Sequence, residues 1–151
     1  MRVSASVRLP LLPRDAWGLL LEWEGQARWM KDADSVEVLG DRREGVGVRL
    51  AVRTSVLGFP GFTEVLEVER WEPPRRLVIA HRSFVRGLGV WVVEPAPGGS
   101  VFRWVEDLRL PVPVLGELAL FAYRPVMAGL MRGSVRRLAR VATERYRSES
   151  L

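Results

Sequence analysis

Six successive segments with an apolar period of two, followed by one long segment with a period of 3.6, constrain this chain more than any other feature. Between residues 35 and 110 the stretches "SVEVLG", "GVGVRLAVRTSV", "TEVLEVERW", "LVIAHRSF", "LGVWVVEP" and "VFRWVEDLRL" alternate apolar and polar residues. The punctuation between them is "DRREG", "LGFPGF", "EPPRR", "VRG" and "APGGS". Residues two apart share one face of a strand, so each stretch is predicted to be half-buried. In the second, Val46, Val48, Leu50, Val52 and Val56 face inward and Arg49 and Arg53 outward. The paired prolines of "EPPRR" cannot continue a hydrogen-bonded ladder, and end their strand there.

A further alternation opens the chain, with Val3, Ala5, Val7 and Leu9 on one side. After it, "LLPRDAWGLLLEWEG" is predicted to be a helix. Pro13 suits its first turn, Asp15 complements the N-terminal dipole, and Gly25 is the expected stop. A short helical turn through "QARWMKDA" follows. Beyond "PVPVLG" the period becomes helical: "ELALFAY" is expected to break at Pro125, and a long helix then runs to about Arg147. Its stripe is Met127, Leu130, Met131, Ser134, Leu138 and Val141, with arginines opposite. A run of strands closed by one helix predicts an α+β fold. The curved antiparallel sheet would have about six to seven strands around the C-terminal helix, in a single domain spanning 1–151.

Composition removes whole classes of chemistry. The sequence has no cysteine, which excludes disulfides, thiolate metal sites and cysteine nucleophiles. Its one histidine, His81, excludes a histidine-pair metal site, and no metal is expected. No serine stands in a "GxSxG" elbow, and "GVG" and "GLGV" lie in or between strands rather than at a strand-to-helix turn. No cofactor is therefore expected. The formal charge of +5 comes almost wholly from arginines that are interleaved with acids, so nucleic acid is not expected as a partner. The exception is the last helix, where Arg132, Arg136, Arg137, Arg140, Arg145 and Arg147 face only Glu144 and Glu149. That face is a solvated surface or a transient membrane contact. No apolar run is long enough to span a bilayer and the N-terminus has no hydrophobic signal core, which predicts a cytoplasmic protein. A monomer and a homodimer both fit the sequence.

Two polar residues break the apolar faces. Glu106 shares the parity of Phe102, Trp104, Leu108 and Leu110, and His81 shares that of Leu77 and Ile79. A buried, unpaired carboxylate is costly, so Glu106 needs an internal partner, water or a ligand. A glutamate and a histidine in one space would suit recognition or acid–base chemistry, and they are the two catalytic candidates. Trp91, Phe102, Trp104, Tyr123, Met127, Leu130 and Met131 would line such a space beside them. Phe59 and Phe62, with Gly58 and Gly61, would form a gate loop over its mouth.

In order and spacing these segments resemble the START/SRPBCC superfamily, in its polyketide cyclase/dehydrase-like branch. "VSASVRLPLLPRDAWGLLLEWEGQARWM" is similar to the strand, proline and aromatic-bearing helix that open its members. "VERWEPPRRLV" is similar to their strand–"PPR"–strand junction. "GGSVFRWVEDLRLPVPVLGELALFAYRPVMAGLMRGSVRRL" is similar to their last strand and long helix, although members often carry "GGTR" where this chain has "GGSVFR". The resemblance covers essentially the whole chain and implies a helix-grip fold with a deep hydrophobic cavity. It also implies binding or transport of a small hydrophobic ligand such as a lipid, quinone or polyketide. The alternatives are an aromatase/cyclase- or dehydratase-like enzyme, and an adaptor that associates through the Arg-rich helix.

Overall fold

The computed structural model of the chain describes residues 1–56 and 59–150, the side chains at 56 and 60 excepted. The chain runs β1 (Arg2–Leu9), α1 (Pro13–Leu20), a 3-10 turn (Glu24–Arg28), β2 (Ala33–Leu39), β3 (Arg49–Val56), β4 (Phe59–Glu72), β5 (Arg76–Arg82), β6 (Arg86–Ala96), β7 (Gly99–Arg109) and α2 (Leu115–Glu149). Seven strands form one sheet in the order β1-β7-β6-β5-β4-β3-β2, with every neighbouring pair antiparallel. β2 to β7 are a meander, and β1 returns to the far edge beside β7. The register shifts at Ala33/Ser35, Arg53/Ser55 and Val68/Arg70. Such irregularities bend strands and sharpen their twist, and the sheet curls around one long helix. This is the α+β architecture expected from the alternation, and the helix-grip fold that the resemblance implied.

The shift in β4 also changes which residues face inward. Val68 is buried before it, Arg70 is exposed after it, and Trp71 then turns in against Trp17 and Trp23 at ring-centroid distances of 5.5 and 6.4 Å. α1 ends at Leu20, earlier than the predicted stop at Gly25, which falls inside the 3-10 turn. The buried Gln26 donates from Nε2 to the Leu20 carbonyl at 2.9 Å, satisfying one of the acceptors a helix C-terminus leaves open.

Three further expectations are corrected. β3 begins at Arg49, and Val46 is 56% exposed instead of inward, because Gly45 and Gly47 adopt φ of +87° and +97°, which breaks the extended backbone. "LGFPGF" is not a loop from Phe59 onward: Phe59–Phe62 open β4. Thr54 pins them by donating from Oγ1 to the Phe62 carbonyl at 2.8 Å and accepting from the Phe62 N–H at 3.3 Å. Gly58, and the side chain of Val56, lie outside the described residues. Finally, α2 runs unbroken through Pro125. Pro125 is on an exposed face, as is Phe121, whose carbonyl loses its helical donor and is left to water.

Along α2 the buried positions are Gly116, Leu120, Met127, Met131, Ser134, Val135, Leu138 and Ala142, whereas Leu130 and Val141 are only half-buried. Of the arginines singled out on this helix, Arg145 is tied to Glu22 by two bonds of 2.6 and 3.0 Å; Arg132, Arg136, Arg137, Arg140 and Arg147 are exposed. No helix among the described residues is long and apolar enough to cross a membrane. α2 packs mainly along β1. Its first half therefore stands away from β3 to β6, and the space between them is the candidate site.

Candidate functional site

Each of five strands changes character along its inward face. In β7 the fully buried Phe102 is followed by Trp104, Glu106 and Leu108; in β6, Val93 gives way to Trp91 and then Gly89. Leu77 of β5 leads to Ile79 and His81, Val68 of β4 to Leu66 and Glu64, and Leu50 of β3 to Val52 and Thr54. The first residue of each series belongs to a packed core and the others border a cavity of about 410 Å³. That size falls in the range of small-molecule pockets, roughly 300–1,000 Å³. Ala119, Leu120, Tyr123 and Met127 of α2 close the opposite side, and Met30, Asp32 and Ala33 one end. Phe62 and Phe84 stand at the rim, 47% and 58% exposed.

Trp91 and Trp104 form the wall between core and cavity. Both rings pack on Trp29, at 5.8 and 6.1 Å, and Trp91 meets Phe102 edge-on at 5.6 Å. Such edge-to-face contacts fix the rings beyond what area burial does. A rigid aromatic wall is the result.

A polar row built from three strands, β7, β5 and β4, runs along this wall. Trp104 donates from Nε1 to Glu106 Oε1 at 2.8 Å, while Glu106 Oε2 accepts from His81 Nε2 at 2.8 Å. His81 Nδ1 in turn donates to Glu64 Oε1 at 3.1 Å. The row skips β6 because the residue there, opposite Glu106 in register, is Gly89. A Cβ at Gly89 would lie 2.9 and 3.0 Å from the two Glu106 carboxylate oxygens, so glycine opens the path from Glu106 to His81.

Burial of the imidazole opposes its protonation, but the hydrogen bonds and charges of Glu106 and Glu64 outweigh it and raise His81 to about 10. At neutral pH the ring is an imidazolium that donates at both nitrogens. Asp32 moves the other way relative to neutrality. Burial, reinforced by the charges of Glu64 and Glu106 and opposed by a backbone hydrogen bond and His81, raises it to about 6. The Tyr123 hydroxyl is raised as well, first by burial and then by Asp32 and Glu64. The site thus holds a histidine kept as an imidazolium at neutral pH and one carboxyl raised to about 6.

Of the residues singled out in the sequence, His81, Glu106, Trp91, Trp104, Tyr123 and Met127 border the cavity. Phe102, Leu130 and Met131 do not: Phe102 and Met131 are buried in the core beyond the wall, and Leu130 is one helical turn past the cavity. Phe62 borders the mouth, whereas Phe59 is 74% exposed outside it. Tyr123 lies within the unbroken α2, one turn past Leu120. Glu64 and Asp32 were missed. Glu64 carries the same signal as Glu106, a carboxylate in parity with Leu66 and Val68. Asp32, between the 3-10 turn and a bulged strand start, has no periodic signal. Among the described residues no group of three or more His, Asp or Glu side chains is arranged to hold a metal ion.

The family described as "Polyketide cyclase / dehydrase and lipid transport" matches residues 1–143. No curated protein sequence matches the chain. Among solved structures, the protein TTHA0849 from Thermus thermophilus is 21% identical with a TM-score of 0.80, covering 95% of this chain and 98% of that one. The di-domain ARO/CYC StfQ from the steffimycin biosynthetic pathway is 17% identical at a TM-score of 0.74, covering 96% of this chain and 51% of its own. A START superfamily protein from Mycobacterium smegmatis is 12% identical at a TM-score of 0.71, covering 95% and 97%. At these identities the likenesses show the fold alone.

Proposed function

The chain belongs to the polyketide cyclase/dehydrase and lipid transport family, and from that premise we propose that it binds a small hydrophobic or amphipathic molecule in the cavity between the sheet and the first half of α2. The observation that carries this reading is the change along five strands from filled core to open, aromatic-walled space. A sheet that only needed a core would place large apolar groups at Gly89, Thr54 and Glu64 as it does at Val93, Leu50 and Val68. The apolar walls supply the driving force, roughly 25 cal/mol per Å² of apolar surface removed from water. The polar row orients one end of the ligand.

Native mass spectrometry of gently purified protein tests it. A stoichiometric small molecule is expected, released by solvent extraction and absent from Leu66→Trp, which fills the cavity. A molecule retained equally by Leu66→Trp would place binding elsewhere and overturn the reading.

One observation favours a second reading, catalysis of the kind named in the ARO/CYC neighbour. His81, held as an imidazolium, is a poor base at neutral pH, but Asp32 at about 6 is suited to accept and return a proton. In that reading Asp32→Asn abolishes turnover of a polyketide-type carbonyl substrate. Unchanged turnover in that variant removes it.

A further inference from the structure

The charge of the cavity is opposite to the charge of the chain. The sequence carries a formal +5, yet no lysine or arginine lines the cavity among the described residues, while Asp32, Glu64 and Glu106 do. The only cationic group in that lining is His81, and both its nitrogens are committed to Glu64 and Glu106. Lys31, next to Asp32 in sequence, turns away: its side chain is exposed and lies against Gly133 of α2. Glu106 has both oxygens bonded, to Trp104 and His81, but Glu64 uses only Oε1. Asp32 makes no side-chain hydrogen bond to another side chain among the described residues. Carboxylate acceptors are therefore left over at one end of an otherwise aromatic and aliphatic space.

We infer that the ligand of this cavity carries a protonated or quaternary nitrogen, seated between Asp32, Glu64 and the Tyr123 ring, with its apolar body against Trp91, Trp104 and Met127. The inference rests on the binding function proposed above and names the ligand class it would take. A carboxylate or phosphate would enter a lining with three carboxyls against one imidazolium, without a free donor of positive charge to meet it. Fatty acids and phospholipids, phosphate-bearing zwitterions included, are therefore disfavoured. An ammonium relieves the repulsion among the carboxyls and gains the aromatic quadrupole as well. The raised Asp32 reflects burial first and then that repulsion.

The test compares three head groups on two bodies: naphthylmethylamine, naphthylmethanol and naphthoate, and decylamine, decanol and decanoate. Binding at pH 7.5 is measured by calorimetry and by tryptophan fluorescence. The amines are expected to bind about tenfold or more tighter than the alcohols, and the acids weakest. Asp32→Asn and, separately, Glu64→Gln are expected to bring amine and alcohol to within about threefold, and a preference for amines that survives in both variants would overturn the inference. Alcohols or acids binding as well as amines would overturn the cationic-ligand inference and leave the cavity's binding role standing. If no member of either series binds, the binding role itself fails.

Discussion

The two ends of the concave face are built on the same strands, with the same parity, and differ in what they do. At one end Trp29, Phe102, Leu77, Val93 and Leu138 are packed to exposures of 1% or less. At the other, Asp32, Glu64, His81, Glu106 and Tyr123 surround an unfilled cavity. Alternation only decides which side of a sheet a residue occupies. Whether that side is core or cavity depends on what comes opposite. α1 and the 3-10 turn bring Leu19, Leu20 and Trp29 onto the first end, while α2, seated along β1, stands clear of the second. Stability is concentrated at the first end and chemistry at the second, the usual division between a rigid scaffold and the site it presents.

The comparison is broken most severely from the packed end. Phe102→Ala is expected to cost about 3–5 kcal/mol in denaturant unfolding, through lost transfer energy and the void it leaves. A loss under about 1 kcal/mol would mean that this end is not the core described.

His81→Gln probes the polar row and is expected to cost about 3 kcal/mol at pH 7, because the buried Glu106 and the half-buried Glu64 lose their cation. The pH dependence separates this from a packing effect. The folded-state value of about 10 lies above the unfolded 6.5, so the stabilisation is complete below pH 6.5 and disappears as pH rises towards 10. Thermal unfolding of the wild type should fall across that window and that of His81→Gln should not.

Asp32→Asn should act with the opposite sign. Folding raises Asp32 from 3.8 to about 6, so its ionisation destabilises the fold progressively as pH rises from about 4 to 6. Removing that charge is expected to stabilise the protein at pH 7 by on the order of 2 kcal/mol, while weakening function. A destabilised Asp32→Asn would contradict the repulsion that defines the cavity end.

Gly89→Ala is the mildest perturbation and sharpens the comparison most. Its Cβ displaces the side-chain carboxylate of Glu106 rather than the backbone, at an expected cost of about 1 kcal/mol. Because the chain has one histidine, its imidazole NMR signals need no assignment, and their titration should move down towards neutrality in this variant. An unshifted titration would show that Glu106 does not hold the ring.

Much of this was legible because it is local. Period-two alternation located the strands, and parity alone brought Glu106 and His81 to the inward face. Their 2.8 Å contact was not legible, since it spans β7 to β5 and needs the pairing of both with β6, including the glycine that lets it pass. Glu64 offered the same parity signal and was overlooked within an ordinary-looking strand. Asp32 reaches the cavity only because a 3-10 turn and a bulge place it there, and neither has a period. Phe102 and Trp104, two residues apart on one face, fall in core and wall respectively; sequence spacing cannot place that border. The break expected at Pro125 failed because an exposed helix face tolerates the missing bond.

The most direct test of the central claim is a fluorescence titration with the neutral probe naphthylmethanol, read from the tryptophan wall in wild type and in Leu66→Trp. The account predicts saturable one-site binding in the wild type that is lost in the filled variant, with thermal unfolding retained. Binding that survives the filling, or no binding in either protein, would contradict it.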